Sequence, residues 1–163
     1  MSGSSIREEL ERLVEEFSAK LARARLSGSY VEDGDYDRFK YMLAKMVARL
    51  LASTSCVERI YYADLASGEF ISQQQYYGRD LDILVVSRGP PCRETLRRLA
   101  ARLEKEFNTL IASTASRLGI GWLAHVARTN GVLEVHVDDE YAQAIRHKEL
   151  KGLLSDTNAI PLL

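Results

Sequence analysis

The stretch "YYGRDLDILVV", residues 76–86, places two aspartates at the head of an apolar run. Asp80 and Asp82 are separated by one residue, and three aliphatic residues, Leu84 to Val86, close the run. Side chains alternate along a β-strand, so both carboxylates are predicted to share one face. At roughly 3.3 Å per residue they would lie about 6–7 Å apart and repel each other unless a cation lies between them. The stretch therefore predicts a buried strand that begins with a metal-binding pair, or alternatively an edge strand whose acids pair with Arg79.

The whole chain has the composition of a globular protein. It contains 163 residues, of which 46% are hydrophobic and 28% charged, which suits one domain. The net charge of −1 provides no global positive field that would attract nucleic acid. The longest apolar run is shorter than a membrane span and no signal peptide is evident, so we expect a cytoplasmic protein without a membrane partner. Cys56 and Cys92 are a poor basis for a disulfide framework and too few for a cysteine zinc site.

Two amphipathic helices are predicted before the acidic stretch. Apolar residues recur at helical spacing from about Ile6 to Arg25 and from about Tyr36 to Ser53. A loop rich in glycine and acids separates them, so the two helices are expected to pack as an antiparallel pair. Residues 1–54 are therefore predicted to form an N-terminal helical pair packed on a core of residues 55–163. Such a pair could also form a homodimer or bind a helical partner protein.

The remainder of the chain is predicted to form a mixed β-sheet backed by helices. Four strands are expected, namely "CVERIYYADLA", "RDLDILVVS", "IGWLAHVAR" and "GVLEVHVDD". The last two would form a hairpin at Asn130-Gly131. A long helix that opens with Pro90-Pro91 would follow the second strand, and a final helix would cover about Asp139 to Leu154. The order ααββαββα predicts an α/β (α+β) fold with about four strands.

A third acid is expected from the last of these strands. Glu134, His136 and Asp138 share one face of "VLEVHVDD" by alternation. Glu134 is the first choice as a metal ligand, because a hard cation prefers its oxygen to an imidazole nitrogen. Asp138 is the alternative, or it begins the final helix, and the whole polar face could equally be a solvated one. Mg²⁺ or Mn²⁺, held by Asp80, Asp82 and Glu134, is the predicted cofactor.

These residues resemble the acidic strand of the nucleotidyltransferase superfamily, which includes DNA polymerase β and the small antitoxin-type nucleotidyltransferases. In that family an Asp-x-Asp pair opens an apolar strand and a later strand contributes a third acid. The resemblance covers about Val57 to Asp138. It implies metal-dependent transfer of a nucleotidyl group from a nucleoside triphosphate to a hydroxyl group. It also implies that Asp80 and Asp82 are catalytic metal ligands and that Glu134 completes the site.

The phosphate-binding turn of the family is altered in this chain. Its Gly-Ser pair aligns with Ala63-Asp64 or, in a shifted register, with Ser67-Gly68. Ser67-Gly68 could provide an amide-rich turn for the phosphates, whereas the carboxylate of Asp64 would repel them. Arg79 could clamp a phosphate, or pair with the aspartates in place of a metal. The alternative function is therefore a non-catalytic relative that binds a nucleotide or a partner protein, and the sequence does not identify the acceptor of an active enzyme.

Overall fold

The structure of the chain, a computed structural model, describes residues 3–27, 33–63, 80–157 and 159–163. The helices in these ranges are α1 (Gly3–Ser27), α2 (Asp33–Ala52), α3 (Pro90–Arg117), α4 (Gly121–Thr129) and α5 (Glu140–Leu150). The strands are β1 (Val57–Ala63), β2 (Leu81–Ser87), β3 (Leu133–Val137) and β4 (Ile160–Pro161), and a 3₁₀ turn, Leu154–Asp156, precedes β4.

The four strands form one mixed sheet in the order β3-β2-β1-β4. β1 is antiparallel to both β2 and β4, whereas β2 and β3 are parallel. Parallel neighbours need a long crossover, which α3 and α4 supply. The predicted α/β fold with a mixed, four-stranded sheet is confirmed. Within the described parts of the chain, no helix has the length and apolar character needed to cross a membrane.

Alternate residues of β2 enter two separate cores. The odd-numbered residues from Leu81 to Val85 belong to the main hydrophobic core, together with residues of α1, α2, α3 and α4. Leu84 and Val86 belong to a smaller core on the opposite face, which α5 covers. Helices on both faces leave β2 buried along its whole length. Asp82 lies, by alternation, on the α5 face.

The helices α1 and α2 pack antiparallel against each other. Glu9, in the first half of α1, accepts a hydrogen bond of 2.5 Å from Arg49 near the end of α2. Lys20 in the second half of α1 lies 3.7 Å from Asp35 at the start of α2. The predicted antiparallel pair is confirmed. Its apolar residues belong to the same continuous core as the sheet.

The predicted strand "IGWLAHVAR", residues 120–128, is wrong because Gly121–Thr129 form the helix α4. Its buried side chains follow helical spacing rather than strict alternation; they are Leu123, Ala124, Val126 and Ala127. The predicted hairpin is therefore absent from this described segment. Gly131 instead links α4 to β3 with a φ of 82°, a conformation that favours glycine.

The C-terminal segment supplies the fourth strand of the sheet. Ile160 and Pro161 pair with Tyr62 and Tyr61 of β1. Next to this pairing, the backbone N–H of Ile60 donates a hydrogen bond of 2.9 Å to the last carbonyl of the chain. Among the described residues the number of strands agrees with the predicted four, but the fourth strand is Ile160–Pro161.

A disulfide between Cys56 and Cys92 joins the turn before β1 to the first turn of α3. Their Cα atoms lie 4.9 Å apart, although the residues are separated by 36 positions in sequence. The two cysteines, expected to be a poor basis for a disulfide framework, form this single bond. The fold places the start of α3 beside the start of β1, and the residue spacing alone does not show this.

A charged cluster attaches the end of α5 to β1. Glu149 accepts hydrogen bonds from Arg59 Nε at 3.0 Å, from the Tyr61 hydroxyl at 2.5 Å and from Arg146 Nη1 at 2.8 Å. These bonds, that from Arg59 foremost, outweigh the effect of burial and lower the pKa of Glu149 to about 2. The carboxylate is therefore ionised in the folded protein at neutral pH.

We expect Glu149→Gln to destabilise the protein by about 2 kcal/mol near pH 7, the range for hydrogen bonds to charged groups. The folded-state pKa lies below the unfolded value of about 4.3, so this contribution is present above that pH. It is lost as the pH falls from about 4.3 toward 2. Urea denaturation of the wild type and of Glu149→Gln, at pH values from about 7 down to about 2.5, measures the difference in their free energies of unfolding. The exposed Glu8→Gln variant is the control, and a difference for Glu149→Gln that stays constant down to about pH 2.5 would contradict the assignment.

Candidate metal centre

The parallel pairing of β2 and β3 brings two acids to neighbouring positions. In this register Asp82 lies beside Glu134, and Leu84 lies beside His136. The three polar side chains occupy the sheet face that α5 covers. Asp82 is only 4% exposed, whereas Glu134 and His136 are partly exposed. The group therefore has a buried carboxylate at its base and an opening toward solvent.

Asp82, Glu134 and His136 form a compact cluster. Each offers one ligand atom, and these atoms lie within 4.8 Å of one another. His136 Nε2 is 2.9 Å from Asp82 Oδ1 and 3.6 Å from Glu134 Oε2. Two carboxylate oxygens and one imidazole nitrogen at such separations are a suitable ligand set for a divalent cation.

The negative charge of this cluster is balanced by His136. Its hydrogen bond to Asp82 and its ion pair with Glu134 outweigh burial and raise the pKa of His136 to about 10. The same ion pair with His136 lowers the pKa of Glu134. Glu134 is therefore ionised at neutral pH, and the imidazolium places a positive charge where two acids meet.

The second ring nitrogen of His136 is held by Asp139. Nδ1 lies 2.6 Å from Asp139 Oδ2. The other oxygen of Asp139 accepts the backbone N–H of Ala142 at 2.9 Å, which makes this residue the N-cap of α5. The exposed ring of Tyr141 packs edge-on against the imidazole, with 5.3 Å between centroids. These contacts direct Nε2 toward the two acids.

The residues predicted as ligands are not all found in this cluster. Asp82 and Glu134 are brought together, but Asp80 lies at a bend immediately before β2 and is not part of the group. Ser67, Gly68 and Arg79, the predicted phosphate-binding residues, lie outside the described residues. Their roles stay predictions.

Asp138, the alternative third acid, lies outside this cluster and pairs with Ser87 and Arg93. Its side chain is 2% exposed and accepts hydrogen bonds from the Ser87 backbone and hydroxyl and, at 2.9 Å, from Arg93 Nε. Burial raises the pKa of Asp138, but the bonds from Ser87 and Arg93 outweigh it and the net pKa is lowered. Asp138 thus connects the end of β2 to the start of α3. Of the two candidates, Glu134 is the acid placed beside Asp82.

Two polar side chains of α3 that the sequence analysis does not single out cover the outer edge of β3. The carboxylate of Glu104 accepts the backbone N–H of Val135. Asn108 Oδ1 accepts the N–H groups of Val132 at 2.7 Å and Leu133 at 3.0 Å. Residues four apart share a helix face, so both side chains reach the same strand edge. This cover hinders pairing of the edge with another chain and fixes the strand that carries Glu134.

No protein-family model matches the chain, and neither the curated proteins nor the solved structures contain a match.

Proposed function

We propose that this protein is a metal-dependent nucleotidyltransferase that moves a nucleotidyl group from a nucleoside triphosphate to a hydroxyl acceptor. The observation that supports this function is the parallel register that places Glu134 beside Asp82. The resemblance of "GRDLDILVV" to the acidic strand of the superfamily implies such an acid from a later strand. The strand pairing is a property of the fold and is independent of that motif.

The residues of the cluster suit the task of holding a cation against phosphates. A bound divalent cation would neutralise charge on the triphosphate and on the leaving pyrophosphate. Asp82 provides a rigid ligand, because it is buried in a central strand. Glu134 has a side chain that is 43% exposed and lies at the open side, where a substrate can approach. Asp80 precedes β2 directly and is proposed as a further ligand once substrate is bound.

Calorimetric titration with ATP, GTP, CTP and UTP, each with and without Mg²⁺ or Mn²⁺, tests this proposal. We expect at least one triphosphate to bind only when a cation is present. Glu134→Gln should weaken that binding by at least about tenfold, equivalent to about 1.4 kcal/mol, because the open side of the site loses a charged ligand. Glu106→Gln, which removes an exposed acid on α3, is the matched control and should bind as the wild type does.

Binding that needs no cation, or no binding by folded wild-type protein, would contradict the proposed function. It would favour the second candidate, a non-catalytic module that binds a partner. A groove with a volume of about 620 Å³ between α1, α2 and the C-terminal residues favours that candidate. Its lining combines apolar side chains with charged groups of both signs, among them Leu13, Met42, Leu162, Arg12 and Glu16.

A further inference from the structure

We propose that His136 is a nitrogen ligand of the cation in this site, and that the site consequently prefers Mn²⁺ or Zn²⁺ to Mg²⁺. The inference rests on the proposed function in one respect, since both require a cation at Asp82 and Glu134. The three acids predicted from the sequence supply oxygen ligands alone, which suit Mg²⁺ or Mn²⁺. A donor set of two carboxylates and one imidazole suits first-row transition metals, whereas Mg²⁺ is served by carboxylates, waters and phosphates.

The positions of the three donor atoms support a shared ion. Ligands that bind one metal at about 2.0–2.2 Å lie roughly 3.0–3.5 Å from each other in tetrahedral or octahedral geometry. Nε2 of His136 lies 2.9 Å from the oxygen of Asp82 and 3.6 Å from that of Glu134. The side chains therefore need only small movements to bind one ion. The proton on Nε2 leaves to solvent when the cation binds.

The contact between His136 and Asp139 is a second and independent observation. A metal-binding histidine almost always donates its other ring N–H to a carboxylate, carbonyl or water, which fixes the ring and its tautomer. Asp139 holds Nδ1 at 2.6 Å and is itself fixed by the N–H of Ala142. Because this carboxylate is anchored by the start of α5, the orientation of the ring does not depend on the two acids. The contact between Nδ1 and Asp139 leaves Nε2 as the ring nitrogen that faces Asp82 and Glu134.

Calorimetric titration with MgCl₂, MnCl₂ and ZnCl₂ alone, without nucleotide, tests this inference. We expect the wild type to bind Mn²⁺ and Zn²⁺ at least about tenfold more tightly than Mg²⁺. His136→Gln should remove that preference, and His136→Asp should shift it toward Mg²⁺ because an oxygen replaces the nitrogen. His125→Gln, which removes an exposed imidazole on α4, is the matched control and should leave the preference unchanged.

The variant Asp139→Asn tests whether Asp139 orients the imidazole ring of His136, without disturbing the start of α5. Asparagine is as good an N-cap as aspartate, so α5 should stay intact while His136 loses its charged partner. We expect the affinity for Mn²⁺ to fall about 10- to 100-fold, as for other residues that support a metal ligand. Circular dichroism of each variant checks the fold. If a His136 variant does not fold, the wild-type preference and the Asp139→Asn variant still decide the question.

The outcomes distinguish this inference from the proposed function. A preference for Mn²⁺ that is unchanged in His136→Gln, or equal binding of Mg²⁺ and Mn²⁺ by the wild type, would overturn the role of His136 alone. Cation-dependent binding of a triphosphate would still support the nucleotidyltransferase in that case. If the wild type binds none of the three cations and no triphosphate, both proposals are wrong.

Discussion

We expect Asp82→Asn to abolish the rise in melting temperature that Mn²⁺ and a bound nucleoside triphosphate produce in the wild-type protein. A ligand present at 100 times its dissociation constant stabilises a folded protein by about 2.7 kcal/mol. For a chain of this size that corresponds to a rise of roughly 5–10 °C. Asp82 is 4% exposed in a central strand, so its carboxylate is held in place beside Glu134 and His136. Asparagine keeps the size of the side chain but not the charge that attracts the cation.

The comparison is made by differential scanning fluorimetry, with and without metal and nucleotide. Each variant is compared with its own melting temperature without ligand, because the loss of the Asp82–His136 contact also changes stability. Asp156→Asn makes the same chemical change at an exposed position in the 3₁₀ turn, and it should keep the full rise. A rise of wild-type size in Asp82→Asn would show that the cation binds elsewhere.

Reduction of the disulfide between Cys56 and Cys92 is expected to destabilise the protein by about 3–4 kcal/mol. The bond closes a loop of 36 residues, and the entropy of an unfolded loop of that length gives this magnitude. The bond also holds the first turn of α3, from which Arg93 donates to Asp138. Reduction should therefore loosen the connection between α3 and Asp138, which lies two residues after His136.

Denaturation with and without dithiothreitol measures this effect, and thiol titration verifies that the bond is open. The double variant Cys56→Ser/Cys92→Ser should have the stability of the reduced wild type and should not respond to the reductant. Equal stability of the oxidised and reduced wild-type protein would contradict the expected contribution.

The predictable parts of the fold are those with strong local periodicity. The helical spacing of α1 and α2, the apolar run of β2 and the alternation in β3 predict these elements. Short helices and strands are harder to predict, because a few residues show no clear periodicity. The nine residues of α4 are apolar enough to resemble a strand, and β4 has only two residues, so packing against the rest of the chain determines both.

In the candidate site, too, some features are predictable from the sequence and others are not. Alternation predicts that Glu134 and His136 share a face, and the fold places that face beside Asp82. The choice of Glu134 over His136 rests on the preference of a hard cation, and it overlooks that Asp139 orients the ring through the cap of α5. The pairing of Cys56 with Cys92 depends on contacts between distant segments. The spacing of residues along the sequence does not predict such contacts.

Anomalous diffraction from crystals of the protein soaked in MnCl₂ tests most directly whether Asp82 and Glu134 hold a cation. We expect an anomalous peak within about 2.2 Å of carboxylate oxygens of both Asp82 and Glu134. Crystals of the Asp82→Asn variant, soaked in the same way, should lack this peak. Manganese bound only at other positions, or no peak beside the paired acids of β2 and β3, would contradict the assignment of this cluster as a metal centre.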